Sequence, residues 1–262
     1  MLKTQRQTEI LEILKNEKFA TVADLAERLF SSLPTVRRDL AALEINGYVK
    51  RCHGGAMLSD VNNRPTIYFR REKNAKEKAL MCRVAADLIE DGDVIFIDAS
   101  STVQHIANHL EKKSGITVIT NGHIAAERFA DKGATVYSAG GKLIMESMVY
   151  GGRMAERTVE SYNADIMFFS VASLSDSGVL SDWSEEERSM RVAMSKNAKR
   201  TVFMCDSTKF GKSSAFKLFP ISSVDMVITD SPLSESIVEK YSLKLELSSP
   251  AHLYKTSKKS SK

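Results

Sequence analysis

Apolar residues recur at helical spacing in three segments of the first 57 residues. In the segment VADLAERLF they stand at positions i, i+3, i+4 and i+7: Val22, Leu25, Ala26 and Leu29. Thr21 precedes that segment and is a suitable N-cap. An earlier segment has its apolar face at Ile10, Leu11 and Leu14. A third begins near Ser32, with its apolar face at Val36, Leu40 and Leu43. The pattern predicts three short helices.

The third helix is followed by GYVKRCHGGA, which alternates as a strand and turns at Gly54-Gly55. Two short helices joined by a tight connection, with a hairpin behind them, form a winged helix-turn-helix arrangement. The sequence predicts such a domain over residues 1–57, with its helix-turn-helix at about residues 20–39.

From Ala75 onward, helix-period segments alternate with short apolar runs. The helical segments are KALMCRVAADLIE, TVQHIANHLEK, GHIAAERFAD, SEEERSMRVAMSKNA and SIVEKY. The apolar runs are DVIFID, ITVIT, ATVYSAG, DIMFFSVAS, RTVFMCD and SVDMVITD. This alternation predicts an α/β domain with a mainly parallel sheet and helices on both faces. In such sheets, ligands bind beyond the carboxyl ends of the strands.

Polar residues stand where several predicted strands end. The candidate ligand-binding residues are these polar residues and their small neighbours in the same loops: Asp98, Ala99, Ser100, Ser101, Thr102, Asn121, Gly140, Gly141, Lys142, Asp206, Ser207 and Lys209. Hydroxyls, amides and lysines hold phosphates, and the carboxylates and Asn121 suit hydrogen bonds to sugar hydroxyls. Each motif alone is also typical of a helix cap, a turn or a solvent-facing lysine. Their recurrence at successive strand ends favours a site for a phosphorylated sugar or polyol.

No cofactor or metal is predicted. FGKSS is similar to part of a P-loop, but Asp206 stands where that motif requires glycine, and no GxGxxG follows a strand. Cys52, Cys82 and Cys205 are odd in number, far apart and without CxxC spacing. They are therefore interpreted as reduced thiols rather than as a disulfide framework or a zinc site.

The third helix offers a surface for DNA, since a helix of its size fits the major groove and its polar residues point mainly outward, Asp39 among them. A basic hairpin tipped by glycines is suited to lie along the neighbouring phosphate backbone. The candidate DNA contacts are Ser32, Thr35, Arg37, Arg38, Arg51, His53, Gly54 and Gly55. Taken singly, adjacent arginines are more typical of a solvated face, and paired glycines of an ordinary turn.

Composition changes this picture little. A chain of 262 residues exceeds the usual size of one domain, and 43% hydrophobic with 27% charged residues is ordinary for a soluble protein. No apolar run approaches the roughly 18 residues of a membrane helix, and the N-terminus lacks the apolar core of a signal peptide. A cytoplasmic location is therefore expected. The net charge of +4 permits a polyanionic partner without requiring one.

The pattern T-V-R-R-D-L…L…G-Y-V…R-C-H-G-G-A resembles the N-terminal motif of the DeoR family of bacterial transcriptional repressors. Further matching landmarks follow through nearly the whole chain: Asp98 to Thr102, Thr120-Asn121, Gly140-Gly141, Gly151, Asp165 and DSTKFG. Arg71, Asn74, Glu77 and Lys78 resemble another family pattern, although a solvated connector explains most of them. The resemblance implies an effector domain similar in fold to ribose-5-phosphate isomerase. It also implies a homodimeric or homotetrameric repressor that binds operator DNA and releases it when a phosphorylated sugar intermediate binds.

Two stretches depart from the family pattern. Phe30 and Ser31 stand where the family has glycine and an apolar residue in the turn between helices, and Leu33-Pro34 are also atypical. Phe30 is expected to replace the packing of that turn. Val171, Ala172 and Ser173 stand where the family has glycines, and their bulk is expected to reshape the sugar pocket.

The predicted organisation is a DNA-binding domain over 1–57, a linker over 58–74, an effector-binding and oligomerisation domain over 75–250, and a disordered basic tail over 251–262. An alternative is a sugar-phosphate isomerase with an accessory DNA-binding head, in which Asp98 or Asp206 would act as the base. Because an isomerase gains nothing from a recognition helix and wing, a regulator without enzymatic activity is predicted. A purely structural module would explain neither the DNA-binding head nor the polar residues at the strand ends.

Overall fold

The computed structural model describes residues 3–45, 48–58, 67–145 and 147–256. The chain divides into two compact units, Met1–Arg70 and Arg71–Lys262. The division falls inside the predicted linker, 58–74, of which residues 59–66 lie outside the described residues. The ends of that segment are regular structure, since Leu58 closes a strand and Ile67–Glu72 form a helix.

The smaller unit contains three helices and a three-stranded sheet. These are α1 (Lys3–Glu17), β1 (Phe19–Thr21), α2 (Val22–Arg28), α3 (Leu33–Ile45), β2 (Val49–Cys52) and β3 (Gly55–Leu58). A further helix, α4, covers Ile67–Glu72. The strands are antiparallel in the order β1-β3-β2. The three predicted helices and the hairpin are present, and β1 is an addition that the apolar pattern did not indicate.

Local capping and burial explain these helices. The Thr21 side chain accepts a hydrogen bond from the Asp24 amide at 3.0 Å, which starts α2 as predicted. The predicted inward-facing residues of the three helices pack into one cluster, which includes Ile10, Leu14, Leu25, Leu29, Val36, Leu40 and Leu43. Helical periodicity therefore identified the core of this unit correctly.

The structure corrects the predicted outward position of Asp39. It was expected on the outer face of α3, but it is only 2% exposed. Its carboxylate accepts hydrogen bonds from Arg6 Nε at 2.5 Å and Gln7 Nε2 at 3.4 Å. The reason is periodic, because Asp39 follows Val36 by three residues and therefore lies on the apolar stripe of the helix. It ties α3 to α1 instead of lying on the exposed face of α3.

The larger unit is built on an eight-stranded sheet in the order β15-β16-β14-β12-β9-β4-β5-β6. These strands are β4 (Val94–Ile97), β5 (Thr117–Thr120), β6 (Thr135–Ser138), β9 (Ala164–Phe169), β12 (Ala198–Cys205), β14 (Met226–Thr229), β15 (Leu243–Leu247) and β16 (His252–Thr256). The six from β14 to β6 are parallel, whereas β16 and β15 run antiparallel. The predicted α/β fold with a mainly parallel sheet is confirmed.

Helices cover both faces of this sheet. They are α5 (Ala75–Asp87), α6 (His123–Ala130), α7 (Arg153–Glu160), α8 (Glu185–Lys196) and α9 (Glu235–Lys240), with short 3₁₀ helices at Val103–His109, Ser207–Lys209 and Ile221–Ser223. Strand side chains alternate between two cores, since Ile95 and Ile97 pack with α5 and α6 while Phe96 packs with α7 and α8. Within the described residues, no helix combines the length and apolar character needed to cross a membrane.

Two small β elements lie beside the main sheet. The hairpin β7 (Lys142–Ile144) and β8 (Val149–Gly151) follows β6, and β10 (Ser173–Leu174), β11 (Val179–Asp182) and β13 (Phe216–Pro220) form a three-stranded antiparallel sheet. The sequence pattern did not reveal these short strands.

The prediction of a disordered tail over 251–262 is wrong for residues 251–256. Residues 251–256 lead into and form β16, which pairs with both β14 and β15. Tyr254 is 3% exposed, and its hydroxyl accepts a hydrogen bond from the Leu233 amide. Apolar residues thus extend closer to the C-terminus than the Lys- and Ser-rich composition indicated, and they complete the sheet. Residues 257–262 of the predicted tail lie outside the described residues.

Candidate functional site

The outer face of α3 presents two arginines. Arg37 and Arg38 are exposed, and among the described residues no carboxylate forms an ion pair with either. Ser32 precedes the helix, where its hydroxyl lies 2.8 Å from Thr35 Oγ1 and accepts a hydrogen bond from the Thr35 amide at 3.4 Å. We call Ser32, Thr35, Arg37 and Arg38 the recognition face. Since the hydroxyls help to start the helix, the arginines are its most available groups.

The β2–β3 hairpin forms the predicted wing. Arg51 is anchored, since its Nε donates to Glu44 Oε2 at 2.5 Å and its backbone amide donates to Oε1 at 2.9 Å. These backbone and side-chain hydrogen bonds lower the pKa of Glu44. His53 and Gly54 are exposed at the turn, where Gly54 adopts the left-handed region at φ +79°. The wing tip is therefore accessible, while Arg51 also braces the hairpin against α3.

Gly55 does not serve the wing tip as predicted. It is buried beside β1, and a Cβ there would overlap the Ala20 carbonyl oxygen and approach Phe19 Cζ to 2.6 Å. The missing side chain lets β3 pack closely against β1. This glycine is explained by the packing of the unit, and it is withdrawn as a candidate DNA contact.

The expected role of Phe30 is also wrong. Its side chain is 96% exposed, so it does not replace the packing of the turn between α2 and α3. Its φ of +48° lies in the left-handed region, where glycine is strongly favoured. The family's glycine at this position thus has a backbone explanation, and this chain places a large exposed ring there.

In the larger unit, polar side chains from several elements join at the carboxyl ends of neighbouring strands. Asn74 Nδ2 donates to Asp206 Oδ1 at 2.9 Å, Lys209 Nζ donates to Ser170 Oγ at 3.0 Å, and Lys78 Nζ donates to Ser101 Oγ at 3.3 Å. We call these six residues the strand-end cluster. Because β12, β9 and β4 are adjacent and parallel, the loops that follow them meet at one edge of the sheet.

The cluster contains buried charge of both signs. Asp206 is 2% exposed, and its Oδ2 lies 3.6 Å from Lys209 Nζ. Burial alone would raise the pKa of Asp206, but the charge of Lys209 and hydrogen bonds from Thr208 and Asn74 outweigh it and lower that pKa. Lys78 is 3% exposed, and its ammonium also donates to the Lys73 carbonyl. The cluster therefore sets two lysines against one carboxylate, and this excess of cationic groups suits an anion.

Asn74 and Lys78 were interpreted mainly as parts of a solvated connector. That interpretation is wrong for both, since they join the cluster. Asn74 adopts a left-handed backbone at φ +54° directly before α5, and Lys78 lies one turn into that helix. Their match to the family pattern was the available signal, whereas a charge-rich stretch alone gives no indication of burial.

Asp98 does not present a free carboxylate for a sugar. It is 1% exposed and accepts hydrogen bonds from the Ser100 amide at 2.9 Å, the Ser170 amide at 3.3 Å and Arg191 Nε at 2.7 Å. Its role is to hold the loop after β4 against the loop after β9. The structure therefore corrects the prediction that Asp98 hydrogen-bonds a sugar hydroxyl.

Arg191 is a further residue of this region that sequence reasoning missed. Buried in α8, it also pairs with Asp182 at 2.6 Å and Glu187 at 3.2 Å. Burial would lower the pKa of its guanidinium, but the three carboxylates outweigh burial and raise it. The available signal was its spacing, since Glu187, Met190 and Met194 place it on the buried stripe of the helix.

Other predicted ligand residues have structural partners. Ala99 packs against Gly122, where a Cβ would come 2.9 Å from Ala99 Cα. The Ser100 hydroxyl accepts from the Val103 amide at 3.4 Å, and Ser207 is held by Asp230 through its amide at 2.7 Å and its hydroxyl at 3.0 Å. These residues shape the loops of the site.

The predicted residues Gly140, Gly141 and Lys142 lead into the hairpin β7–β8. Both glycines have positive φ, and Lys142 is exposed. The hairpin is fixed to the loop after β5, since the Tyr150 amide donates to the Asn121 carbonyl at 2.7 Å and Asn121 Nδ2 donates to the Tyr150 carbonyl at 3.3 Å. The structure thus connects these residues to Asn121 rather than to the lysines of the cluster.

Several buried polar atoms of the larger unit have no hydrogen-bond partner among the described residues. They are Thr102 Oγ1, Gln104 Nε2 and Oε1, His105 Nε2 and Asn121 Oδ1. All belong to the segments that follow β4 and β5. Because buried polar atoms are normally paired, these atoms have hydrogen-bonding capacity that the described residues do not use.

A cavity of about 450 Å³ lies next to these segments. It is lined by Arg71, Ala75, His105, Ile124, Glu127 and Arg128. Burial, together with the charges of Arg128, Lys78 and Arg71, lowers the pKa of His105 to about 4. The surroundings are therefore electropositive, with a neutral imidazole at neutral pH.

A helix-turn-helix unit with exposed arginines and a separate α/β unit with a cationic cluster at its strand ends define a DNA-binding regulator with a sensor domain. The model of the DeoR-like helix-turn-helix domain matches residues 6–61, and that of the DeoR C terminal sensor domain matches residues 73–231. The chain belongs to the DeoR family. This is a family of DNA-binding transcriptional regulators, so the isomerase alternative is set aside.

Curated relatives match over almost their whole length. The transcriptional repressor AccR of Agrobacterium fabrum (strain C58 / ATCC 33970) is 32% identical, over 90% of this chain and 93% of the relative. The transcriptional repressor GlcR of Bacillus subtilis (strain 168) is 35% identical, over 88% and 89%. The glycerol-3-phosphate regulon repressor of Escherichia coli (strain K12) is 27% identical, over 91% and 95%. The chain is therefore similar to these repressors through both of its units.

Proposed function

We propose that this protein is a transcriptional repressor that binds operator DNA through its smaller unit and releases it when a phosphorylated sugar or polyol binds its larger unit. One observation carries the proposal: a single chain combines exposed arginines on the second helix of a helix-turn-helix with two lysines, Lys78 buried and Lys209 partly buried, at the strand ends of a sensor domain. The relatives named as repressors support it, and one of them is named for the regulon of a phosphorylated polyol.

The proposed DNA contacts are the residues whose side chains or backbone are exposed on α3 and at the wing. Arg37 and Arg38 would meet base edges or phosphates in the major groove, with Thr35 beside them. His53 and Gly54 would lie along the backbone at the wing, and Arg51 would contribute charge while bound to Glu44. Asp39 and Gly55 hold the unit in the shape that presents these groups. Two such units in a homodimer or homotetramer would match the two half-sites of an operator.

The proposed effector contacts are the lysines of the strand-end cluster and the buried polar atoms that have no hydrogen-bond partner among the described residues. Lys78 and Lys209 would hold the phosphate, with the Ser101 hydroxyl between the loops. Thr102 and Asn121 have free hydrogen-bonding capacity for hydroxyl groups. For release, the effector has to bind more tightly to the arrangement of subunits whose DNA-binding units no longer match the operator, because a ligand with equal affinity for both arrangements shifts nothing.

Retention of DNA from the region upstream of the protein's own gene tests the proposal. The full-length protein is expected to bind that DNA specifically at moderate salt, and a sugar phosphate from a screened set is expected to release it. Arg37→Ala should weaken specific binding by about 1–3 kcal/mol without changing the thermal midpoint. Arg157→Ala, an exposed arginine on α7, is the charge-matched control and should bind like the unmodified protein.

Absence of specific retention by the unmodified protein would reject the DNA-binding half of the proposal. Retention that no sugar or polyol phosphate relieves would reject the effector half. Equal losses in Arg37→Ala and Arg157→Ala would mean that net charge, not the recognition face, supplies the binding.

A further inference from the structure

Two exposed apolar residues stand in the first turn of α3. The helix begins at Leu33, which is 43% exposed, and Pro34 follows it and is also exposed. Leu33 does not belong to the hydrophobic cluster that the described residues of the smaller unit form. A single exposed apolar side chain is ordinary on a protein surface, but these two are adjacent and lie on the helix that bears Arg37 and Arg38.

The helix places each of these apolar residues beside an arginine. Residues four positions apart lie one above the other on the same side of an α-helix. Leu33 precedes Arg37 by four positions, and Pro34 precedes Arg38 by four. Helical side chains lean toward the N-terminus, so each arginine extends over the turn that its apolar neighbour occupies. The apolar surface is therefore continuous with the recognition face.

The polar groups of this first turn are engaged with one another. The hydroxyls of Ser32 and Thr35 lie 2.8 Å apart, and Ser32 Oγ also accepts from the Thr35 amide. Pro34 has no amide hydrogen, and neither Leu33 nor Pro34 has a polar side-chain atom. Paired hydrogen bonds to a base require a side chain such as Arg, Asn or Gln. What Leu33 and Pro34 offer to a base pair is therefore apolar contact.

Among the base edges in the major groove, the apolar group is the C5-methyl of thymine. We propose that Leu33, with Pro34, contacts thymine methyl groups of the operator, beside the base pairs that Arg37 contacts. The inference rests on the proposed function and deepens it by naming a base that the operator contains. Leu33 then determines specificity, since its contact distinguishes thymine from the other three bases. Because Leu33 and Pro34 depart from the family pattern, this preference belongs to this chain.

Replacement of thymine by deoxyuridine in the operator tests the contact, because it removes the C5-methyl and keeps the base pair. The full-length protein is titrated with the operator fragment that the retention experiment identifies, and each thymine is replaced in turn. Fluorescence anisotropy at one fixed, moderate salt concentration measures the affinity. We expect at least one replacement to weaken binding about threefold to fivefold, the loss that corresponds to one buried methyl group.

The variant Leu33→Ala assigns the effect to its side chain. Its affinity for the thymine operator should fall by a similar factor, and the critical deoxyuridine should weaken its binding no further. Because Leu33 is partly exposed, the thermal midpoint of the variant should stay close to that of the unmodified protein. Ile45→Ala is the matched control, since Ile45 is 85% exposed and ends the same helix about 18 Å further along. It should bind both operators like the unmodified protein.

The contact is overturned if no deoxyuridine weakens the unmodified protein, while specific binding and the proposed function stand. It is also overturned if Leu33→Ala remains as sensitive to deoxyuridine as the unmodified protein, since the methyl group would then contact another residue. A changed sedimentation coefficient for Leu33→Ala would place Leu33 in a contact between protein chains instead of at DNA. If the unmodified protein retains no DNA specifically, the proposed function fails and this contact fails with it.

Discussion

At the scale of single residues, Asp98 shows how one side chain fixes the geometry of the sensor. Its carboxylate joins the loop after β4, the loop after β9 and helix α8. Arg191 on that helix is 3% exposed and depends on three carboxylates for compensation of its charge. Removing one partner of a buried ion pair leaves the other charge uncompensated, which is far more costly than losing a surface pair.

Asp98→Ala is therefore expected to lower the free energy of unfolding by about 3–5 kcal/mol. Urea unfolding followed by circular dichroism measures this change. Asp131→Ala, at the exposed end of α6, is the control and should stay within about 0.5 kcal/mol of the unmodified protein. An Asp98→Ala protein as stable as the unmodified one but unresponsive to effector would instead restore Asp98 as a direct ligand residue.

Residue type and position predicted where polar groups gather, but not what they bind. The strand-end location of Asp98, Asn121 and Asp206 follows from local periodicity, because each directly succeeds an apolar run. The partner of Asp98 is 93 positions away on α8, and no local pattern contains that information. The same limit applies to Lys78, whose burial depends on packing between α5 and the loop after β4.

At the scale of elements, strong periodicity predicted the main helices and the parallel strands. The short strands outside the parallel sheet have too little periodicity to be predicted. The hairpin β7–β8 has strands of only three residues each, too short to show an alternating pattern. β1 is equally short, and its closeness to β3 is visible only through Gly55. Glycines in a hairpin have two distinct uses here, a left-handed turn at Gly54 and a close strand contact at Gly55.

Gly55→Ala should therefore disrupt the smaller unit, because its Cβ would displace β1 from β3. We expect a loss of stability of about 1–3 kcal/mol for this overpacking, with operator retention lost as a consequence. Gly54→Asn is the matched control, since asparagine tolerates the left-handed backbone. Comparison of thermal midpoints and DNA retention for both variants is the measurement. A Gly55→Ala protein of normal stability that lost only DNA retention would show that Gly55 contacts DNA after all.

At the scale of the whole molecule, the hydrophobic cores follow the division of the chain. The cluster around Leu25 and Leu40 draws its residues from the smaller unit, and the clusters on the two faces of the large sheet draw theirs from the larger unit. A core of this small size stabilises a unit only modestly. Each unit thus has the means to unfold as a separate cooperative body.

Calorimetry of the full-length protein should consequently resolve two transitions. An effector that binds only the native sensor adds RT ln(1 + [L]/Kd), which is about 2.7 kcal/mol at a ligand concentration 100 times Kd. This gain should move the transition of the larger unit upward and leave that of the smaller unit in place. Gly55→Ala should do the reverse, lowering only the transition of the smaller unit. A single transition that shifts as a whole in both experiments would show that the units unfold together, so that effector binding also stabilises the DNA-binding unit.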